Sequence, residues 1–135
     1  MTLYVCLDDK GGMLFNKRRQ SRDAAVLEDI RANLTGSLTI DPFSEKLLLP
    51  TDIPWTIAPE DLSQLPGDAH FFLENRQPSQ VLPLADTLVI YRWNRHYPAD
   101  TRWDADPAAL GLHLVQTIEF PGRSHETITK EVYRK

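Results

Sequence analysis

Apolar residues are gathered in short runs divided by turns. Leu3 to Leu7 is an apolar run stopped by Asp8-Asp9-Lys10-Gly11-Gly12, the pattern of a buried strand running into a turn. After a polar stretch from Asn16 to Ser21, the period changes. Val26, Leu27, Ile30 and Leu34 repeat at helical spacing, with Glu28, Asp29 and Arg31 off that face. The pattern predicts a helix over 22–34, with Ser21 as its N-cap and Gly36 beyond its end. Short elements follow. They are a strand over 37–40, a helix over 43–48 entered through Asp41-Pro42, a strand over 54–58 and a helical turn over 59–65. His70 to Leu73 is another apolar run after a Pro66-Gly67-Asp68 turn. Pro78 to Leu82 predicts a short helix broken at Pro83. Thr87 to Tyr91 reads as a strand, its unbroken apolar Leu88-Val89-Ile90-Tyr91 being the pattern of burial on both faces. Two longer candidates close the chain, Leu112 to Phe120 and Thr127 to Tyr133. The mixed polarity of Ile128, Lys130 and Val132 predicts a half-exposed or edge position for the last.

Strands alternating with helices over the first two-thirds predict an α/β fold with a mixed, mainly parallel sheet and helices on both faces. The last two strands add an antiparallel edge. The 135 residues fit one domain, 1–135, and 41% hydrophobic with 25% charged residues excludes a disordered chain. The single Cys6 excludes an internal disulfide and a four-cysteine zinc site, and its place in a buried strand predicts an inert thiol. The opening residues carry no basic leader, and no apolar stretch approaches the roughly 18 residues of a membrane span. A cytoplasmic protein without membrane contact is the expectation. The net charge of −4 argues against bulk affinity for nucleic acid, though not against a local basic patch.

The order of segments carries a resemblance. Leu82-Pro83-Leu84-Ala85-Asp86-Thr87-Leu88-Val89-Ile90 looks like the entry into a central strand of dihydrofolate reductases. Ala99-Asp100-Thr101-Arg102-Trp103 is similar to their "GDT-x-F" segment, and Ser124-His125 with Val132-Tyr133-Arg134-Lys135 resembles their closing strand. Asp9 to Met13 with Asn16 looks like the first strand and the mobile loop over the active site. The resemblance runs from Leu3 to Arg134, in a chain shortened in its middle, and implies a dihydrofolate-reductase-like fold. The chain also looks like a group of short bacterial proteins with the same Trp93-Asn94-Arg95-His96-Tyr97-Pro98 and Ser124-His125-Glu126 segments, some carrying a ribonuclease Z label. That activity needs an H-x-H-x-D-H cluster for two zinc ions. His70, His96, His113 and His125 lie far apart without such spacing, so the label has no chemical support.

The departures from the reductase pattern bear on function. That family holds NADPH phosphates on a paired glycine where this chain has Leu73-Glu74-Asn75, and a Gly-Arg pair is replaced by Asp41-Pro42. A side chain there blocks close approach of backbone to phosphate, and a carboxylate repels it. Leu49-Pro50-Thr51-Asp52 offers no arginine for a folate tail. The family's catalytic carboxylate falls within Arg19 to Ala25, where Asp23 stands within one turn of the expected position. Tyr91 falls beside that acid. The resemblance therefore implies a reductase-like scaffold that has lost its redox chemistry, a pseudoenzyme without a nucleotide cofactor.

Three polar groups remain. Lys17, Arg18, Arg19 and Arg22 lead into a helix N-terminus, where free N–H groups favour anions; a solvated loop is the plainer alternative. Trp93 and Tyr97 flank Arg95 and His96, either to stack a ring or to cover the core. Arg123-Ser124-His125-Glu126 reads as a hairpin turn, since sequence neighbours do not make a catalytic triad. Asp8, Asp9 and Asp41 would need to converge to hold a divalent metal, and no metal is expected. Ligands in such sheets bind at the carboxyl ends of the strands. The expected ligand contacts are therefore Asn16, Arg18, Arg19, Gln20, Arg22, Ser44, Glu45, Asn75 and Tyr91, with Asp23 and Glu74 as acid or base candidates. The leading expectation is binding of an anionic small molecule or a protein partner in that cleft. The alternatives are an enzyme using the same cleft and a nucleic-acid binder using Lys17 to Arg22 with Trp93 and Tyr97. An exposed last strand would also permit pairing into a homodimer.

Overall fold

The computed structural model describes all residues, Met1–Lys135. Its centre is a strand whose apolar residues alternate between two cores. β1 (Thr2–Leu7) sends Leu3, Val5 and Leu7 to one face and Tyr4 to the other, as the twofold period of a strand requires. It lies parallel between β6 (His70–Phe72) and β7 (Thr87–Arg92). Beyond β6 come β4 (Leu38–Ile40) and β5 (Trp55–Ile57), also parallel. On the other side β10 (Thr127–Arg134) runs antiparallel to β7, and β9 (His113–Pro121) antiparallel to β10. The seven-stranded order is β5-β4-β6-β1-β7-β10-β9. The fold class is the mixed, mainly parallel α/β arrangement with an antiparallel end.

The first core packs α1 (Ala24–Asn33) and α2 (Glu45–Leu48) on one face through Val26, Ile30, Leu47 and Leu48. The second packs α3 (Pro78–Val81) on the opposite face, with Phe71, Leu88 and Ile90 beneath it. The α-helix stops at Val81, just ahead of Pro83 as expected. The chain tightens into a 3₁₀ turn over Leu82–Leu84, in which proline occupies a first-turn position that needs no N–H donor.

Two expectations are corrected and one is narrowed. The N-cap of α1 is Asp23 and not Ser21: its extended backbone and its carboxylate bond to the Ala25 N–H are those of a cap. Of the half-exposed or edge position expected for the last strand, the first holds. β10 is interior, alternating buried and half-buried residues because only one face meets α1, and β9 forms the edge. The polar stretch after β2 (Gly12–Phe15) is not a loop throughout. β3 (Arg18–Arg19) pairs with β2 through a two-residue turn in which Asn16 and Lys17 both have positive φ, 50° and 59°. β8 (Thr101–Arg102) pairs with the other side of β2, making a small three-stranded sheet beside the strand ends.

Asp8, at the end of β1, ties this small sheet to the large one. Its carboxylate accepts from the N–H groups of Lys10, Gly12 and Tyr97 and from Gln20 Nε2. Burial works against its charge, but these donors outweigh burial and hold the carboxyl below its usual range. Gly12 has no room for a side chain: a Cβ there would stand 2.6 Å from Asp8 Oδ2. No helix is long and apolar enough to cross a membrane.

Candidate functional site

The carboxyl ends of β1 and β6 and the first turns of α1 enclose a cavity. Cys6, Val26, Leu47, Phe72 and Trp93 give it apolar walls, and Arg19, Gln20, Ser21, Arg22, Asp23 and Glu74 give it a polar rim. Its free interior is about 20 Å³, room for roughly one water molecule. The position follows from the topology, since parallel strands end here and α1 begins here.

Arg19 closes the mouth. Its Nε and Nη2 donate to the two oxygens of Glu74 at 2.5 and 2.7 Å, and its guanidinium lies over the Phe43 ring at 5.2 Å. The buried Ser44 hydroxyl donates to Glu74 Oε1 at 2.7 Å. The bidentate geometry is the strong form of an ion pair. Next to it, at the end of β4, Asp41 is held in the same way by Arg76, through two bonds of 2.8 Å. Arg76 also donates to the carbonyls of Pro59 and Glu60.

Asp23 is 1% exposed and its acceptor capacity is taken up. The N–H groups of Ala25, Arg123, Ser124 and His125 donate to it, as does the His125 ring through Nδ1 at 2.9 Å. Burial opposes its charge, yet the Arg123 N–H, the His125 ring and the other donors hold the carboxyl far below the ordinary range. On its other side His125 Nε2 lies 2.9 Å from the Tyr97 hydroxyl and 3.1 Å from Ser21 Oγ. Trp93 stacks on the ring with centroids 4.5 Å apart. Gly122 lets this knot close: a Cβ there would come within 2.6 Å of Asp23 Oδ2.

The expected contacts divide between places. Arg19, Gln20, Arg22, Asp23 and Glu74 line the cavity, and Ser44 reaches it through Glu74. Asn16, Arg18 and one side of Gln20 line an outer crevice with Tyr97 and Pro98. Asn75 is exposed in a separate depression beside Lys17 and Asp100. Glu45 is half-buried on α2 away from the cavity lining. Tyr91 is wholly buried and donates to Asp29 of α1 at 2.6 Å, where Lys130 also pairs. Burial and then the Asp29 charge push the Tyr91 hydroxyl far up. Asp8, Asp9 and Asp41 do not converge, and no three His, Cys, Asp or Glu side chains group as metal ligands. Cys6 faces the cavity, and burial followed by the Glu74 charge pushes its thiol up, which leaves little thiolate.

Sequence reasoning placed His125 in a hairpin turn and Tyr97 in the nucleic-acid alternative, and did not join either to Asp23. His125 is 102 positions from Asp23, a separation at which spacing carries no signal.

No protein-family model matches this chain, and no curated protein matches it in sequence. Among solved structures, it superposes on a dihydrofolate reductase from Enterococcus faecalis complexed with NADP(H) and RAB-propyl. The TM-score is 0.69 at 9% identity, over 98% of this chain and 94% of that one. The fold is that of dihydrofolate reductase. Within that fold, β1, β6 and α1 frame the cavity.

Proposed function

We propose that this chain is a one-domain dihydrofolate-reductase-like scaffold without NADPH chemistry, and that it binds a small anionic molecule with an apolar body in the cavity under Arg19. The observation that carries the reading is the cluster of Arg19, Glu74 and Ser44 at the end of β6. Where the reductase pattern places backbone bare enough to meet a pyrophosphate, Glu74 brings a side chain and a negative charge. At the end of β4, Asp41 brings a second. These residues do not fit that cofactor.

The walls favour an apolar body and the rim an anion. Arg22 lines the cavity, is exposed and has no carboxylate partner, so it is the cation free to meet a ligand. The closed interior requires Arg19 and the β2–β3 hairpin to move aside, and Arg19 then exchanges Glu74 for the ligand in part. Lys17 and Arg18 are exposed on the same hairpin and attract anions over a longer range. Nucleic acid is the weaker reading, because Trp93 is 4% exposed beneath His125 and offers no face for a base.

Benzoate and inorganic phosphate are the probes, followed by amide chemical shifts of the cavity residues. Benzoate should saturate and shift them, and Arg22→Ala should weaken it by about tenfold or more, the value of one charge-assisted hydrogen bond. Shifts by neither anion, or shifts indifferent to Arg22→Ala, would contradict the reading.

A further inference from the structure

Ser21, His125 and Asp23 stand in line, drawn from two segments of the chain that are about a hundred residues apart. Ser21 precedes α1, Asp23 caps it and His125 lies in the turn between β9 and β10. An ionised carboxylate only accepts hydrogen bonds, so in the neutral imidazole Nδ1 carries the proton toward Asp23 and Nε2 is left as the acceptor. That nitrogen is 3.1 Å from Ser21 Oγ. Trp93 stacked on one face of the ring fixes its plane. The Tyr97 hydroxyl is 2.9 Å from the same nitrogen and 3.4 Å from Ser21 Oγ, so Ser21 takes the single Nε2 lone pair when Tyr97 turns its proton to Ser21 Oγ. Ser21 is half-exposed and lines the cavity, with Arg22 beside it. These are the relations a nucleophile, a base and the group orienting the base must have, whatever their order along the chain.

We propose that Ser21 is a nucleophile activated by His125 and Asp23, acting on small esters or thioesters whose acyl group enters the cavity. The inference rests on the preceding reading only in that both use this cavity. As the Ser21 Oγ bonds to the carbonyl carbon, its proton passes to His125 Nε2, and the oxyanion forms beside the unpaired Arg22. Collapse of that adduct breaks the ester C–O (or thioester C–S) bond, and His125 returns the proton to the departing alkoxide or thiolate. Water then repeats the sequence, with His125 taking its proton, and releases the carboxylic acid and free Ser21. Asp23 stays ionised throughout and holds the ring; it is a positioning residue, not the acid or base.

The test is labelling of the folded chain with an alkyl fluorophosphonate and a small sulfonyl fluoride, read by intact mass and peptide mapping. Ser63 and Ser79 are exposed serines in the same molecule and serve as internal references. The proposal expects one adduct, at Ser21, formed at least about 100-fold faster than at either reference, which is the lower end of what a general base contributes. Ser21→Ala should abolish it, and His125→Asn should slow it by the same factor. Ser21 labelling no faster than Ser63 and Ser79, or as fast in a folded His125→Asn chain as in the native one, would overturn it. Should His125→Asn fail to fold, the comparison of serines within the native chain still decides. A chain labelled at Ser21 that ignores benzoate keeps this inference and loses the ligand reading; one that binds benzoate without labelling does the reverse.

Discussion

Arg19 and Glu74 meet in two parallel N–H···O bonds over the mouth of the cavity, with the Arg19 side chain 22% and the Glu74 side chain 8% exposed. Charges so far out of water are neutral to stability as a pair and costly when one is removed. Glu74→Gln should therefore lower stability by about 2 kcal/mol in urea denaturation. This is below the loss for a fully buried pair, because Arg19 keeps some solvent. The same variant frees Arg19, so its affinity for benzoate should rise. A stable Glu74→Gln chain with unchanged affinity would mean that the pair does not control the mouth.

Asp23 makes stability depend on acid. Its folded-state carboxyl is depressed, so the unfolded chain binds more protons as pH falls below about 4. The contribution is complete above that pH and is lost as pH falls toward the folded value. Asp8 is shifted the same way and adds to the slope. Stability measured between pH 5 and roughly 2 should fall steeply in the native chain. Asp23→Asn should cost about 3 kcal/mol near neutrality, since donors aimed at a charge are left short, and should flatten that slope. An equal slope in both chains would contradict the assignment.

Gly122 has no room for a methyl group, because His125 O and Asp23 Oδ2 both stand within 2.6 Å of where its Cβ would be. Gly122→Ala should cost about 2 kcal/mol and shift the ring resonances of His125. An alanine tolerated without either effect would show that the turn is free to relax away from Asp23.

The edge strand β9 leaves Leu114, Val115 and Ile118 between 38% and 53% exposed and has no partner on its outer side. Edges of this kind promote pairing between copies. Ile118→Lys should leave stability within about 0.5 kcal/mol, as surface substitutions do, while reducing any self-association seen in sedimentation at high concentration. A large loss of stability would show that Ile118 packs more closely than its exposure indicates.

The strands and helices were legible where the apolar period was regular. β1, β7 and α1 stand within two or three residues of where Leu3 to Leu7, Leu88 to Tyr91 and Val26 to Leu34 place them. The β2–β3 hairpin was not, because its turn uses Asn16-Lys17 with positive φ where a glycine would be the usual signal. Two positions stayed open for the last strand because half-burial against α1 and exposure at an edge give similar mixed polarity. Arg19, Arg22 and Glu74 were readable as neighbours of one cleft from charge and from the reductase pattern, and all three line the cavity. Their pairing was not, since the guanidinium foreseen as a ligand contact spends its donors on Glu74. The knot around Asp23 lay beyond reach: one carboxylate, one histidine and one serine carry no signal until the turn after β9 brings His125 to the start of α1.

The measurement that bears most directly on the proposed absence of NADPH chemistry is a titration with NADPH, following the fluorescence of Trp55, Trp93 and Trp103. Trp93 lines the cavity and reports on its occupation. The carboxylates of Glu74 and Asp41 at the ends of β6 and β4 predict no saturable change up to millimolar NADPH. Saturation at micromolar concentration would contradict the account and return the chain to reductase chemistry.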